Sequence, residues 1–110
     1  MAELSKETEQ EITQLQLYEQ GLQNILMQKH QFQSQSIEIE SALKELESTK
    51  EAYKIVGNIM VASKKEDLKS ELESKKETTN LRIKTLEKQE NQIREKAKKL
   101  QEEVSKKIKK

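Results

Sequence analysis

Two long runs of apolar residues, spaced alternately by three and four, constrain this chain more than any other feature. From Leu15 to Leu46 the spacing selects Leu15, Tyr18, Leu22, Ile25, Lys29, Phe32, Ser36, Ile39, Leu43 and Leu46, of which eight of ten are apolar. A second run, which takes one step of seven from Leu72 to Thr79 and alternates thereafter, selects Leu72, Thr79, Ile83, Leu86, Glu90, Ile93, Ala97, Leu100 and Val104. Each run is a heptad seam, the pattern of a helix that buries one narrow stripe against another helix. The chain is permissive of long helices, with no Pro and only Gly21 and Gly57 among 110 residues. Its 32% hydrophobic content is well below the roughly 45–50% of a compact globule, so little core can be built within the chain. Disorder is excluded too, since disordered chains are enriched in Pro and Gly.

The first helix is expected over 5–50. Ser5 caps it, and Glu7 and Glu9 lie in the first turn, where the helix dipole favours anions. Gly21, at a cost of about 1 kcal/mol relative to Ala, and the segment from His30 to Ser36, with Lys29 and Ser36 on the seam, are its soft points, readable as flexure or as simple tolerance. The second helix is expected over 64–110. Ser63-Lys64-Lys65-Glu66 reads as a capping box, and Lys106, Lys107, Lys109 and Lys110 complement the dipole at the far end.

Between the helices, residues 53–62 change period. Tyr53, Ile55, Val56, Ile59, Met60 and Val61 flank Gly57-Asn58, the signature of a two-residue hairpin turn of type II′ or I′. Pairing Val56 with Ile59 puts Tyr53, Ile55, Met60 and Ala62 on one face and Lys54, Val56, Ile59 and Val61 on the other. Both faces are mostly apolar, and a lone two-stranded hairpin is marginal in water. The hairpin is therefore expected to belong to a sheet completed by other chains.

A reversal at Gly57-Asn58 makes residues whose numbers sum to about 115 meet, so Phe32 faces Ile83, Leu22 faces Ile93, Tyr18 faces Ala97 and Leu15 faces Leu100. The expected fold class is mainly α: a single domain over 1–110, a long antiparallel two-helix coiled coil joined by one central β-hairpin that oligomerises. At 1.5 Å per residue the arm would be roughly 70 Å long. Charge agrees with this pairing. Residues 1–57 carry 10 acidic against 5 basic groups, and residues 58–110 carry 10 against 16.

Most chemistries lack their parts. There is no Cys for a disulfide, thiolate or thiolate metal site. The single His30 falls at an outward position without the partners of a triad. No carboxylate cluster suggests a metal, and two isolated glycines make no phosphate-cradling loop. The chain reads as a non-enzyme with no cofactor. No apolar run approaches the roughly 18 residues of a membrane span, and the polar first residues do not resemble a signal peptide, so an intracellular location is expected. Lysines of the second helix alternate with Glu87, Glu90, Glu95, Glu102 and Glu103, which favours a solvated face over nucleic-acid contact. Several apolar residues lie off the seams. Leu4, Ile12, Leu17 and Ile108, with Val104, fall near the shared terminal end, where a narrow coil is expected to leave them as exposed patches.

The order helix, single hairpin, helix, with the central run Ala52-Tyr53-Lys54-Ile55-Val56-Gly57-Asn58-Ile59-Met60-Val61, resembles the beta-type subunits of the prefoldin family. The segments Leu15-Gln16-Leu17-Tyr18-Glu19-Gln20 and Met27-Gln28-Lys29 match as well, as does the stretch from Leu81 to Glu90. The resemblance covers essentially the whole chain. Its specific part is the Tyr-Lys-x-x-Gly-Asn hairpin, since any coiled coil shares the seams. Alpha-type subunits carry two hairpins, and this chain has room for one. The connection from Leu46 to Tyr53 is shorter than is usual in the family, and the chain ends in lysines without the tail that many relatives carry.

The resemblance implies a cytoplasmic, ATP-independent holdase chaperone. Its hexamers hold two alpha and four beta subunits, whose hairpins form a β-barrel platform. The coiled coils hang from it, grip unfolded clients at their tips and pass them to a group II chaperonin. On this reading Leu4, Ile12, Leu17, Val104 and Ile108 touch clients, and Tyr53, Ile55, Val56, Gly57, Asn58, Ile59, Met60 and Val61 build the platform. A structural tether would use the same seams but has no need of a hairpin apolar on both faces. A nucleic-acid-binding arm would show steep salt dependence.

Overall fold

A computed structural model describes residues 5–108 as α1 (Lys6–Ser48), β1 (Ala52–Val56), β2 (Ile59–Ser63) and α2 (Lys65–Ile108). Two helices and one antiparallel hairpin is the architecture that the periodicities predict. Leu4, Lys109 and Lys110, singled out above, lie outside the described residues.

The ends of α1 are set by hydroxyls. Ser5 Oγ accepts the Thr8 N–H at 3.1 Å, and its carbonyl accepts the Glu9 N–H at 3.0 Å, which forms the expected cap. At the other end the Ser48 and Thr49 hydroxyls donate to the Glu45 carbonyl at 3.3 and 2.7 Å. Such side-chain bonds compete with helix continuation, and α1 stops at Ser48 rather than at the expected 50. Its last turn holds no basic residue. Instead Lys65 reaches over and donates to the Glu47 carbonyl at 3.2 Å, satisfying one of the acceptors that every helix C-terminus leaves open.

The hairpin has the register expected from the sequence. Ala52 pairs with Ser63, Tyr53 with Ala62, Lys54 with Val61, Ile55 with Met60 and Val56 with Ile59. Gly57 has φ +61°, and no other described residue has positive φ. Type I′ needs positive φ at both central residues, so the turn is of the II′ kind, with glycine at its first central position.

Pairing runs one residue further at each end than expected, and this overturns the capping box. Ser63 is taken into the ladder opposite Ala52, so the half-in residue of α2 is Lys64, whose carbonyl accepts the Leu68 N–H at 3.0 Å. Lys64 has no side-chain acceptor to offer. The first turn of α2 is left to its anions, Glu66 and Asp67, and the last to Lys106 and Lys107.

The described chain forms two units by its contacts, one from residues 5–29 with 85–108 and the other from residues 30–84. In the first, Ile25, Leu86 and Val104 are buried, with Ile93 reaching to 3.8 Å of the space beside Gly21. Lys29 and Glu90, the two polar residues that interrupt the seams within this unit, find each other. Lys29 Nζ donates to Glu90 Oε1 at 3.2 Å, and Arg94 donates to Glu90 Oε2 at 2.9 Å. The second unit includes the hairpin; it buries Leu46 and Thr79, and the Arg82 guanidinium lies 5.5 Å from the centre of the Phe32 ring. Here Ser36 Oγ donates to Asn80 Oδ1 at 3.3 Å, and Lys76 pairs with Glu40 at 3.3 Å. Gly21 with Ile93 and Ser36 with Asn80 both sum to within one of 115. Both units are therefore antiparallel helix pairs in the expected register. Neither has a thick core, since no described side chain is fully buried.

Candidate assembly and binding surfaces

The hairpin is the least satisfied part of the molecule. Ile55 is 74% exposed, Met60 67% and Ile59 65%, and Tyr53, Val56 and Val61 are exposed beside them. These six residues occupy both faces of the strand pair, as the register dictates. Fully burying a side chain of this size stabilises by about 1.5–3 kcal/mol, so the six together leave on the order of 10 kcal/mol unrealised in the single chain. Both strands are also edges, each with a row of unpaired backbone groups.

Polar contacts aim this element. Lys54 Nζ donates to Glu71 Oε1 at 2.7 Å, which ties the face carrying Val56, Ile59 and Val61 to the first turns of α2. That hydrogen bond, with the lysine's charge, holds the Glu71 carboxyl below the usual carboxylate range. Tyr53 donates its hydroxyl to Glu51 Oε2 at 3.0 Å.

Of the residues expected near the terminal end, Leu17 and Ile108 are 54% and 55% exposed. Ile12 is half-buried. Val104 is 6% exposed and does not contribute to a surface patch. The narrow end of the coil does bury it, because packing continues into the first turn, where Thr8 is 4% exposed. Lys107 closes this end by binding Glu11 and, at 3.6 Å, Glu7. The hydrogen bond to Glu11 raises the Lys107 pKa above the ordinary lysine value. Neither this clasp nor the Lys29–Glu90 pair was expected from the heptad spacing. A signal for the pair existed, since each seam has an oppositely charged interruption and their numbers sum to 119, within reach of a long lysine.

His30 is exposed, as its outward position implies. An open groove of about 550 Å³ in the second unit is lined by Phe32, Ile39, Thr79 and Arg82 among others. Among the described residues, no three or more His, Cys, Asp or Glu side chains are grouped to hold a metal ion, and no helix is long and apolar enough to cross a membrane.

A chain that closes its helical seams but leaves a two-faced apolar hairpin uncovered is an oligomer subunit of the helix–hairpin–helix class. Comparison with known proteins narrows the class. The family described as prefoldin subunit matches residues 9–110. The prefoldin subunit beta of Archaeoglobus fulgidus is 43% identical, over 86% of this chain and 84% of that protein. That of Methanospirillum hungatei is 34% identical, over 98% and 92%. The crystal structure of the prefoldin beta subunit from Thermococcus strain KS-1 matches with a TM-score of 0.92 at 32% identity, over 100% of this chain and 99% of that one. The chain belongs to the prefoldin family, a family of chaperones rather than enzymes, as a subunit of the beta type. Beta-type prefoldin chains are subunits of hetero-oligomers.

Proposed function

We propose that this chain acts as one prefoldin-like domain within an ATP-independent holdase of the cytoplasm. Its hairpin joins those of alpha-type subunits and further copies in a β-barrel platform, in an assembly of two alpha and four beta chains. The helix pairs capture unfolded proteins at their terminal ends and deliver them to a group II chaperonin. The observation that carries this reading is the hairpin, exposed and apolar on both faces, which only neighbouring strands and side chains can cover. Capture is supported by Leu17 and Ile108, each more than half exposed in the unit that holds the helix ends. Ile12 adds a smaller apolar area there. Each end offers little surface, so holding a client depends on several ends acting together.

The test is suppression of client aggregation by the complex assembled with its alpha-type partner, without nucleotide. Protection by the complex is expected, and its absence overturns the holdase reading. Leu17→Ser with Ile108→Ser should weaken protection at unchanged assembly mass. Undiminished protection would overturn the terminal capture site alone.

A further inference from the structure

In the first unit the two helices present opposite chemistry to solvent. Opposite its seam, α1 carries an outward row with the same three-and-four spacing: Gln10, Thr13, Leu17, Gln20, Asn24 and Met27, all exposed and none charged. The corresponding row of α2 is Lys88, Gln92, Glu95, Lys99, Glu102 and Lys106, exposed as well and charged at five of six positions. From Thr13 to Gln28 the only charged residue is Glu19, in a chain that is 37% charged. Solvation alone does not account for this. A helix face that meets only water is normally charged, and both faces meet the same water. Apolar side chains interrupt the neutral face where polar ones would serve, with Leu17 54%, Leu26 42% and Met27 64% exposed.

We propose that this uncharged face of α1 is a docking track for an extended, uncharged segment of an unfolded polypeptide. The proposal rests on the holdase reading and adds a surface along the helix to the capture site at its end. The choice of occupant follows from charge matching. An apolar segment laid on α2 would cut lysines and glutamates off from water without supplying partners, a large penalty, whereas on α1 it strands no charge. Gln and Asn side chains each carry both donor and acceptor, which suits the alternating N–H and C=O groups of an extended backbone. Leucine and the flexible methionine adapt to differing apolar side chains, the property of surfaces that bind many partners. The row from Leu17 to Met27 is about 15 Å long, the length of about four or five extended residues.

The experiment uses the assembled complex and a chemically unfolded test protein. Gln20→Glu, Asn24→Lys and Met27→Glu together place alternating charges on the track, keep good helix formers and add no i,i+4 repulsion. Roughly tenfold more complex should then be needed for equal protection, as several weakened contacts multiply. Lys88→Gln with Glu95→Gln on α2 should leave protection unchanged. A photo-crosslinker at Gln20 should capture the client, and one at Lys99 should not. Full protection by the triple variant at wild-type assembly mass overturns the track. So does equal crosslinking from both positions, or crosslinking from Gln20 to another subunit when no client is present. Failure of the wild-type complex to protect would instead overturn the holdase reading on which the track rests.

Discussion

The helix pairs and the hairpin place their apolar residues by different rules. In the helices they recur by three and four, and residues such as Ile25, Leu46, Leu86 and Val104 are at most 8% exposed. In the hairpin they occur on both faces of the strand pair, and its six large apolar residues are 43–74% exposed. The contrast separates what this chain satisfies by itself from what other chains must satisfy. A seam of one stripe needs one partner, which the chain supplies by turning back on itself. Two apolar faces and two open edges need at least two partners, and the chain supplies neither.

The largest break in that comparison should come from the hairpin. Ile59→Asp puts a charge on a face meant for burial, and Gly57→Val puts a β-branched residue at φ +61°, a region such residues rarely adopt. Either should abolish incorporation into the hetero-oligomer while helical circular dichroism is retained. Retained assembly mass in size-exclusion chromatography would show that the hairpin is not the joint. Leu86→Ala should act oppositely. It should cost about 2–3 kcal/mol in a thermal melt by opening the seam, with the hairpin still competent to assemble below the melting transition.

The ion pair within the seam sharpens the comparison further. Hydrogen bonds from Arg94 and then Lys29 hold the Glu90 carboxyl below the usual range. A carboxylate depressed in the folded state contributes stability that is fully present above its ordinary value of 4.5 and is lost as pH falls through the lower folded value. Acid should therefore lower the melting temperature, and Glu90→Gln should reduce that acid sensitivity. Replacing both partners, Lys29→Leu with Glu90→Leu, should be neutral or stabilising, whereas Lys29→Leu alone should destabilise. An equal cost for the single and double variants would rule out the pairing. The smallest effect is expected at Gly21. A methyl group there meets Ile93 at 3.8 Å, an ordinary contact, so Gly21→Ala should stabilise by about 0.5–1 kcal/mol.

The seams, the turn, the register and the two-faced hairpin were all legible because each is written in local spacing. Residue numbers summing to about 115 follow from a two-residue turn and need no knowledge of side-chain packing. What escaped the sequence depended on competition between elements. Ser63 could cap α2 or close β2, and the ladder took it. Val104 stood both on the seam and near the chain end, and burial of Thr8 in the first turn of α1 shows that the end is packed. Lys29 looked like a soft point because its partner lies 61 residues away. The outward row of α1 was readable as uncharged, but its meaning appeared only beside the charged row of α2 in the same unit.

The two-residue turn also bears on the order in which the chain closes. Val56 and Ile59 are three residues apart, whereas Glu11 and Lys107 are 96 apart. Closing a long loop from the open chain costs more than closing a short one, by about 0.6 kcal/mol for each doubling. Once Gly57-Asn58 has turned, each further pair of residues is brought together by the pair before it, so closure can proceed from the hairpin outward as a zipper. Local, stepwise contacts of this kind favour fast folding. The element that depends on other chains is then the first to form, and the Lys107 clasp on Glu7 and Glu11 is the last.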